Sequence, residues 1–222
     1  MLLYETIIMQ QSKHIETTKT ARYYTLGNVN SNTRNIWLVL HGYAQNALEF
    51  LQQFKPLADN GDFIIAVEGL SRFYTKGFYG NVGASWMTKE DREAEIKDNN
   101  EYLWRVYEKE ILPSVGMKQI HLLGFSQGAT TLSRFVSYRQ PIFNHLWLCA
   151  GDIPDDMNWE NFKTLTDKAA LHIMLGKQDP LITSERVEAL QYKLRNKNIR
   201  FQLHEFEGVH EVNIALIQQK IL

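Results

Sequence analysis

The sequence predicts an α/β fold: a mostly parallel sheet with helices on both faces and no large cap domain. Three observations carry this. Short unbroken apolar runs recur along the chain, as expected of strands covered on both faces. Segments of helical periodicity lie between them. The runs end on glycine, histidine, serine and aspartate, and in open parallel sheets ligands sit at the carboxyl ends of the strands.

Composition fits one such unit. The chain has 222 residues, 44% hydrophobic and 22% charged, with 13 Gly and 5 Pro. Collagen, coiled coil and disorder are excluded. A chain of this size buries roughly 70% of its unfolded surface and needs no disulfide or metal to hold a core. One domain over residues 1–222 is expected, with 1–30 as extended segments ahead of a core at 36–222. Lys+Arg is 24 and Asp+Glu 25, a net charge of −1, so no global basic field attracts nucleic acid. The lone Cys149 cannot form an intrachain disulfide, which fits a reducing, cytoplasmic setting. The start, Met1-Leu2-Leu3-Tyr4-Glu5, has no basic region and meets an acid at once, unlike a signal peptide. No apolar stretch is long enough to span a bilayer, so no integral membrane segment is expected.

In chain order, Thr6 to Leu26 reads as two extended segments and Asn28 to Asn35 as a polar turn. Ile36 to Leu40 is the first buried-strand run, followed by Phe63 to Val67, Ile120 to Leu123, Leu146 to Ala150, Ala169 to Leu175 and Phe201 to Phe206. Between them, Asn46 to Asp59 carries Leu48, Leu51 and Leu57 at helical spacing. Thr88 to Leu112 opens with the capping-box spacing Thr88-Lys89-Glu90-Asp91 and sets Ile96, Leu103, Tyr107 and Ile111 on one face. Pro113 stops it. Ser126 to Arg139, Ser184 to Asn196 and Glu211 to Leu222 complete the helices. Gly69 to Met87 reads as the one long irregular stretch.

The third buried run ends Gly124-Phe125-Ser126-Gln127-Gly128 and a helix begins at once. This is G-x-S-x-G, for which chance supplies roughly 0.03 matches in a chain of this composition. A nucleophile on so tight a turn needs small neighbours, and the helix start offers free N–H groups to an oxyanion. The competing reading is an ordinary turn with a serine cap. Serine needs a base, and the base an orienting acid, in the chain order Ser, acid, His. The next strands lead into Gly176-Lys177-Gln178-Asp179-Pro180 and Gly208-Val209-His210, making Asp179 and His210 the first choice. Asp152 is a rival acid, and Asp179 could also be a turn-forming Asp-Pro. His145, His172 and His204 lie near or within strands and suit packing rather than catalysis. One oxyanion donor is the N–H of Gln127. The other is assigned to Tyr43 in the loop His41-Gly42-Tyr43, which His41 braces.

These motifs carry a family resemblance. Leu40-His41-Gly42, Gly124-Phe125-Ser126-Gln127-Gly128-Ala129, Gly151-Asp152-Ile153-Pro154, Gly176-Lys177-Gln178-Asp179-Pro180 and Gly208-Val209-His210 resemble the phospholipase/carboxylesterase branch of the α/β-hydrolases, which includes the acyl-protein thioesterases. The likeness spans about residues 36–220, which makes 36–222 the catalytic core. It implies a triad of Ser126, Asp179 and His210, with oxyanion donors at Tyr43 and Gln127. One departure is Ala44, where the family's loop usually carries glycine.

The expected activity is hydrolysis of carboxylic esters, or thioesters, through an acyl-enzyme, with a small-molecule ester or acyl substrate and no cofactor. Substrate contacts are assigned to Trp86, Phe73 and Phe78 in the aromatic stretch and to Asp152, Ile153 and Pro180 at the strand ends. No metal motif or phosphate loop is present. Two alternatives stand beside this: an amidase or peptidase on the same triad, and a non-catalytic ligand-binding protein of the same fold.

Overall fold

The computed structural model describes residues 12–221. Nine strands are described: β1 (Tyr23–Leu26), β2 (Asn35–Leu40), β3 (Phe63–Val67), β4 (Ser71–Tyr74), β5 (Val82–Ser85), β6 (Gln119–Phe125), β7 (His145–Cys149), β8 (Ala170–Gly176) and β9 (Gln202–Phe206). Seven of them form one sheet in the order β1-β3-β2-β6-β7-β8-β9. Only the β1–β3 pair is antiparallel; every other neighbouring pair in this sheet runs parallel.

Residues of period two along these strands feed two separate cores, which is why the strands read as unbroken apolar runs. Ile36, Leu38, Leu40, Leu122, Leu146, Leu148 and Ile173 face one core. It is covered by α3 (Arg92–Glu110), α4 (Gln127–Arg139), α5 (Trp159–Thr166) and α6 (Ser184–Asn196). Trp37, Val39, Leu123, Phe125, Trp147, Cys149 and Met174 face the other, under α1 (Ala47–Gln52), α2 (Lys55–Asp59) and α7 (Ile214–Ile221). All six expected buried runs are strands, and the fold class is the expected one.

Several boundaries differ from the sequence reading. Of the two N-terminal extended segments, residues 1–11 lie outside the described residues, and the remainder forms only β1. The helix expected over 46–59 is two helices. Asn46 caps the first, its side chain accepting from the N–H groups of Leu48 and Glu49. Pro56 then sits in the first turn of α2, where its missing N–H does no harm; inside one continuous helix it would break the ladder. Leu48 accordingly stays 45% exposed while Phe50, Leu51 and Phe54 pack inward.

The capping box at Thr88 does not form. Asp91 takes a left-handed φ of 46°, so α3 starts one residue later, and the Thr88 hydroxyl accepts from Glu90 N–H in a local turn at 3.2 Å. The stretch 69–87 is not irregular throughout: β4 and β5 form an antiparallel hairpin. Helix α5 was not anticipated. It lies in the segment after β7, where Asn158 caps Asn161 N–H. No insertion of cap-domain size interrupts the described residues.

Candidate active site

The turn from β6 into α4 is strained at Ser126. Ser126 has φ 53° and ψ −118°, a conformation that costs a side-chain-bearing residue on the order of 1–3 kcal/mol. The surroundings leave no alternative. A Cβ on Gly124 would lie 2.5 Å from Gly128 O, and one on Gly128 would lie 2.4 Å from Leu40 O. Ser126 N–H is tied to Cys149 O at 2.8 Å. The hydroxyl caps no N–H of its own helix, which leaves it available.

Asp179 and His210 come from loops after β8 and β9, and backbone bonds clip the two loops together. Lys177 N–H donates to Phe206 O and Gln178 N–H to Gly208 O, each at 2.9 Å. The His210 Nδ1–Asp179 Oδ2 distance is 2.6 Å, and the carboxylate side chain is fully buried. Its other oxygen accepts from Leu181 N–H at 2.8 Å. The structure thus pairs Asp179 with His210, while Asp152 is exposed and bonds its own neighbour Ile153 N–H. A carboxylate can only accept, so the proton of a neutral imidazole sits on Nδ1 and Nε2 is the free base. The His210 ring packs on Phe125, the residue before Ser126, with centroids 4.8 Å apart. Among the described residues the Ser126 hydroxyl and His210 share no hydrogen bond; in free hydrolases this contact is often long and tightens with substrate bound.

The loop after β2 stands opposite. Ala44 adopts φ 61°, Gln45 N–H returns to Gly42 O, and Gln45 Oε1 accepts from Gly42 N–H at 2.7 Å. Hairpin strand β5 holds this turn through Ala44 N–H to Ala84 O and Ala84 N–H to Gln45 O, both 2.9 Å. Among the described residues neither Tyr43 N–H nor Gln127 N–H donates to a backbone carbonyl. His41 is fully buried behind the loop. Its Nδ1–H donates to Gly42 O at 2.7 Å and its Nε2 accepts from Gly69 N–H at 3.1 Å. That pairing requires the neutral ring, and burial pushes its pKa below the ordinary value.

The residues assigned to substrate contact scatter. Phe73 is half-buried and stacks on the exposed Tyr43 ring at 5.4 Å, beside the loop. Phe78 is at the hairpin tip and 88% exposed. Trp86 is turned inward at 1% exposure: its Nε1–H donates to His41 O at 2.8 Å, and it lines a small depression with Met87, Asn99, Thr131 and Arg134. Ile153 is wholly buried, and Pro180 is exposed next to Asp179. Asp152 lines a shallow, open depression with Gly151, Leu175, Ile182 and Arg186.

Sequence reading missed the side chain of Gln127. Its Oε1 accepts from Trp86 N–H at 3.1 Å and its Nε2 donates to Met87 O at 2.8 Å. No spacing rule links residue 127 to residues 86 and 87, so no signal in the sequence could have found it. Among the described residues no His, Cys, Asp and Glu side chains cluster as metal ligands. Cys149 is buried, and desolvation pushes its thiol pKa up, away from nucleophile chemistry.

A family model described as phospholipase/carboxylesterase matches residues 28–219. No curated protein matches the chain. Among solved structures, acyl-protein thioesterase 2 of Zea mays is similar with a TM-score of 0.66 at 15% identity, over 90% of this chain and 96% of that one. A carboxylesterase from Mesorhizobium loti gives 0.68 at 16% identity, over 85% and 88%. The carboxylesterase of Bacillus cereus gives 0.62 at 18% identity, over 90% and 91%. Likenesses at such identity speak to fold alone.

Proposed function

The chain belongs to the phospholipase/carboxylesterase family, and from that membership we propose that it hydrolyses carboxylic esters or thioesters through an acyl-enzyme on Ser126. It is a hydrolase of the carboxylesterase/thioesterase type; the residues and steps are our reading. His210 Nε2 takes the Ser126 proton as Oγ attacks the acyl carbon. The oxyanion that forms accepts from Tyr43 and Gln127 N–H, two donors with no backbone partner to give up among the described residues. His210, now cationic, is held by Asp179 and returns its proton to the leaving alcohol or thiol. Water then enters by the same route, His210 draws its proton, and deacylation restores Ser126. No cofactor takes part in these steps.

The observation that carries this reading is the 2.6 Å His210–Asp179 contact beside a strained serine. The aromatic pair Tyr43 and Phe73 gives an acyl or aryl group a flat wall next to the oxyanion loop. We read residues 36–222 as one catalytic unit. No helix among the described residues is long and apolar enough to cross a membrane.

The test is Ser126→Ala on p-nitrophenyl acetate. Turnover is expected to fall at least about 10³-fold, since the nucleophile is lost while the fold stays. The variant should also lose labelling by a fluorophosphonate probe. Retained turnover would remove Ser126 from the mechanism. A wild-type protein that neither hydrolyses esters nor takes the probe would instead point to a binding protein of this fold.

A further inference from the structure

We propose that the Gln127 side chain is a positioning residue that sets the spacing between the two oxyanion donors; the inference rests on the esterase reading above. The backbone and the amide of this one residue serve different ends. Its N–H, in the first turn of α4, has no backbone acceptor among the described residues and is the oxyanion donor of the esterase reading. Its side chain leaves the helix and grips the segment that follows β5. Oε1 accepts from Trp86 N–H at 3.1 Å, and Nε2 donates to Met87 O at 2.8 Å. Ser85 Oγ adds a longer contact at 3.4 Å.

That segment reaches Tyr43 by two routes. One is backbone: β5 carries the Ala84 bonds to Ala44 and Gln45, so the turn holding Tyr43 moves with the hairpin. The other runs through the Trp86 indole, whose Nε1–H fixes His41 O while the His41 ring fixes Gly42 O. Trp86 has little freedom to dissipate a displacement. It is 1% exposed, its carbonyl accepts from Asn99 Nδ2, and its ring lies 5.1 Å from that of His41. One donor is in the loop after β2 and the other in the first turn of α4, with no direct bond between them among the described residues. The amide of Gln127 closes the ring that ties one to the other.

Oxyanion donors act only when they meet the charge at about 2.7–3.1 Å, so a shift of a few tenths of an ångström acts on the transition state more than on the bound ester. A residue that merely stabilised the fold would change the fraction of active protein and the melting temperature. A positioning residue changes kcat at unchanged KM.

The experiment uses the full chain and p-nitrophenyl acetate. Gln127→Met keeps size and the backbone donor but cannot grip Trp86 or Met87. Its kcat is expected to fall about 10–100-fold with KM within about twofold, less than or comparable to losing a donor outright. Trp86→Phe, which removes the indole N–H together with part of the ring, is expected to lose kcat in the same direction at unchanged KM. In the double variant the combined fold-loss is expected to be smaller than the product of the two single losses, because both cut one ring. Losses that multiply fully, or a kcat within twofold of wild type in Gln127→Met, would overturn the proposal. Should Gln127→Met fail to fold, Trp86→Phe alone decides: an unchanged kcat overturns it, and a kcat-only loss supports it. A wild-type protein without Ser126-dependent hydrolysis would overturn the esterase reading itself, an outcome distinct from an active wild type beside unaffected variants.

Discussion

Asp179 gives up contact with water to hold a single proton on His210, and the proposed chemistry hangs on which nitrogen carries it. The carboxylate admits only the Nδ1–H tautomer at 2.6 Å. Asparagine has nearly the same shape, yet its amide can turn an N–H toward Nδ1 and drive the proton to Nε2, where it faces the nucleophile. Asp179→Asn is therefore expected to lower kcat about 10³–10⁴-fold on p-nitrophenyl acetate, with KM little changed. Steady-state kinetics check this, and a loss under tenfold would return the acid's role to another residue such as Asp152.

At the scale of elements, the site depends on how closely α4 seats on β2. Gly128 is in the first turn of α4, with Leu40 O and His41 O where a Cβ would need to be, at 2.4 and 2.6 Å. Those atoms are backbone and cannot swing aside. Gly128→Ala is expected to lift the helix start off the strand, destabilising the fold by about 1–3 kcal/mol. Because His41 O is also the acceptor of the Trp86 indole, the same displacement reaches the oxyanion loop. Ester turnover is expected to drop more than tenfold even in protein that remains folded, which melting curves and activity measured on the same sample would reveal. The hairpin β4–β5 belongs to this scale too. Along this stretch Phe78 stays in solvent at the hairpin tip, and Trp86, just after β5, turns into the core.

Across the whole sheet, far from the proposed triad, a buried file of rings crosses the strands. His121 stacks on Trp37 and on His145, with centroids 4.0 and 4.6 Å away. His145 Nδ1 meets His172 Nε2, and His172 Nδ1 meets His204 Nε2, each at 3.0 Å. Each shared bond has room for one proton, so these three rings can hold only one proton beyond the neutral state before N–H is set against N–H. Desolvation, joined by the repulsion of the neighbouring rings, lowers the His172 pKa to about 3 and holds His121 well below the ordinary value. Burial alone lowers His145, and burial with Lys220 lowers His204. The unfolded chain therefore binds protons that the native file refuses. This contribution to stability is complete above about pH 6.5 and is lost as pH falls toward the native pKa values, with a slope of up to about 1.4 kcal/mol per pH unit from a ring as deeply shifted as His172. Asp62 works in the opposite sense: burial raises its pKa, so it favours the native state more as it protonates. The melting temperature is expected to fall between pH 6.5 and 4, and His172→Gln is expected to flatten that fall. A melting temperature independent of pH over this range would count against the file as the acid-sensitive element.

By itself the sequence determined the alternation of strands and helices, the six buried runs and the chain order of Ser126, Asp179 and His210. These are local or one-dimensional properties: burial on both faces writes unbroken apolar runs, and a tight turn writes its glycines. Tertiary structure alone decided the rest. It split the 46–59 helix at Pro56, paired β4 with β5, buried Trp86, and brought His145, His172 and His204 into one file. It also gave the Gln127 amide partners some forty residues away, as the 41 positions to Trp86 show. Contacts between residues so distant in the chain depend on which strands become neighbours and how closely the helices seat, and no periodicity along the chain records that.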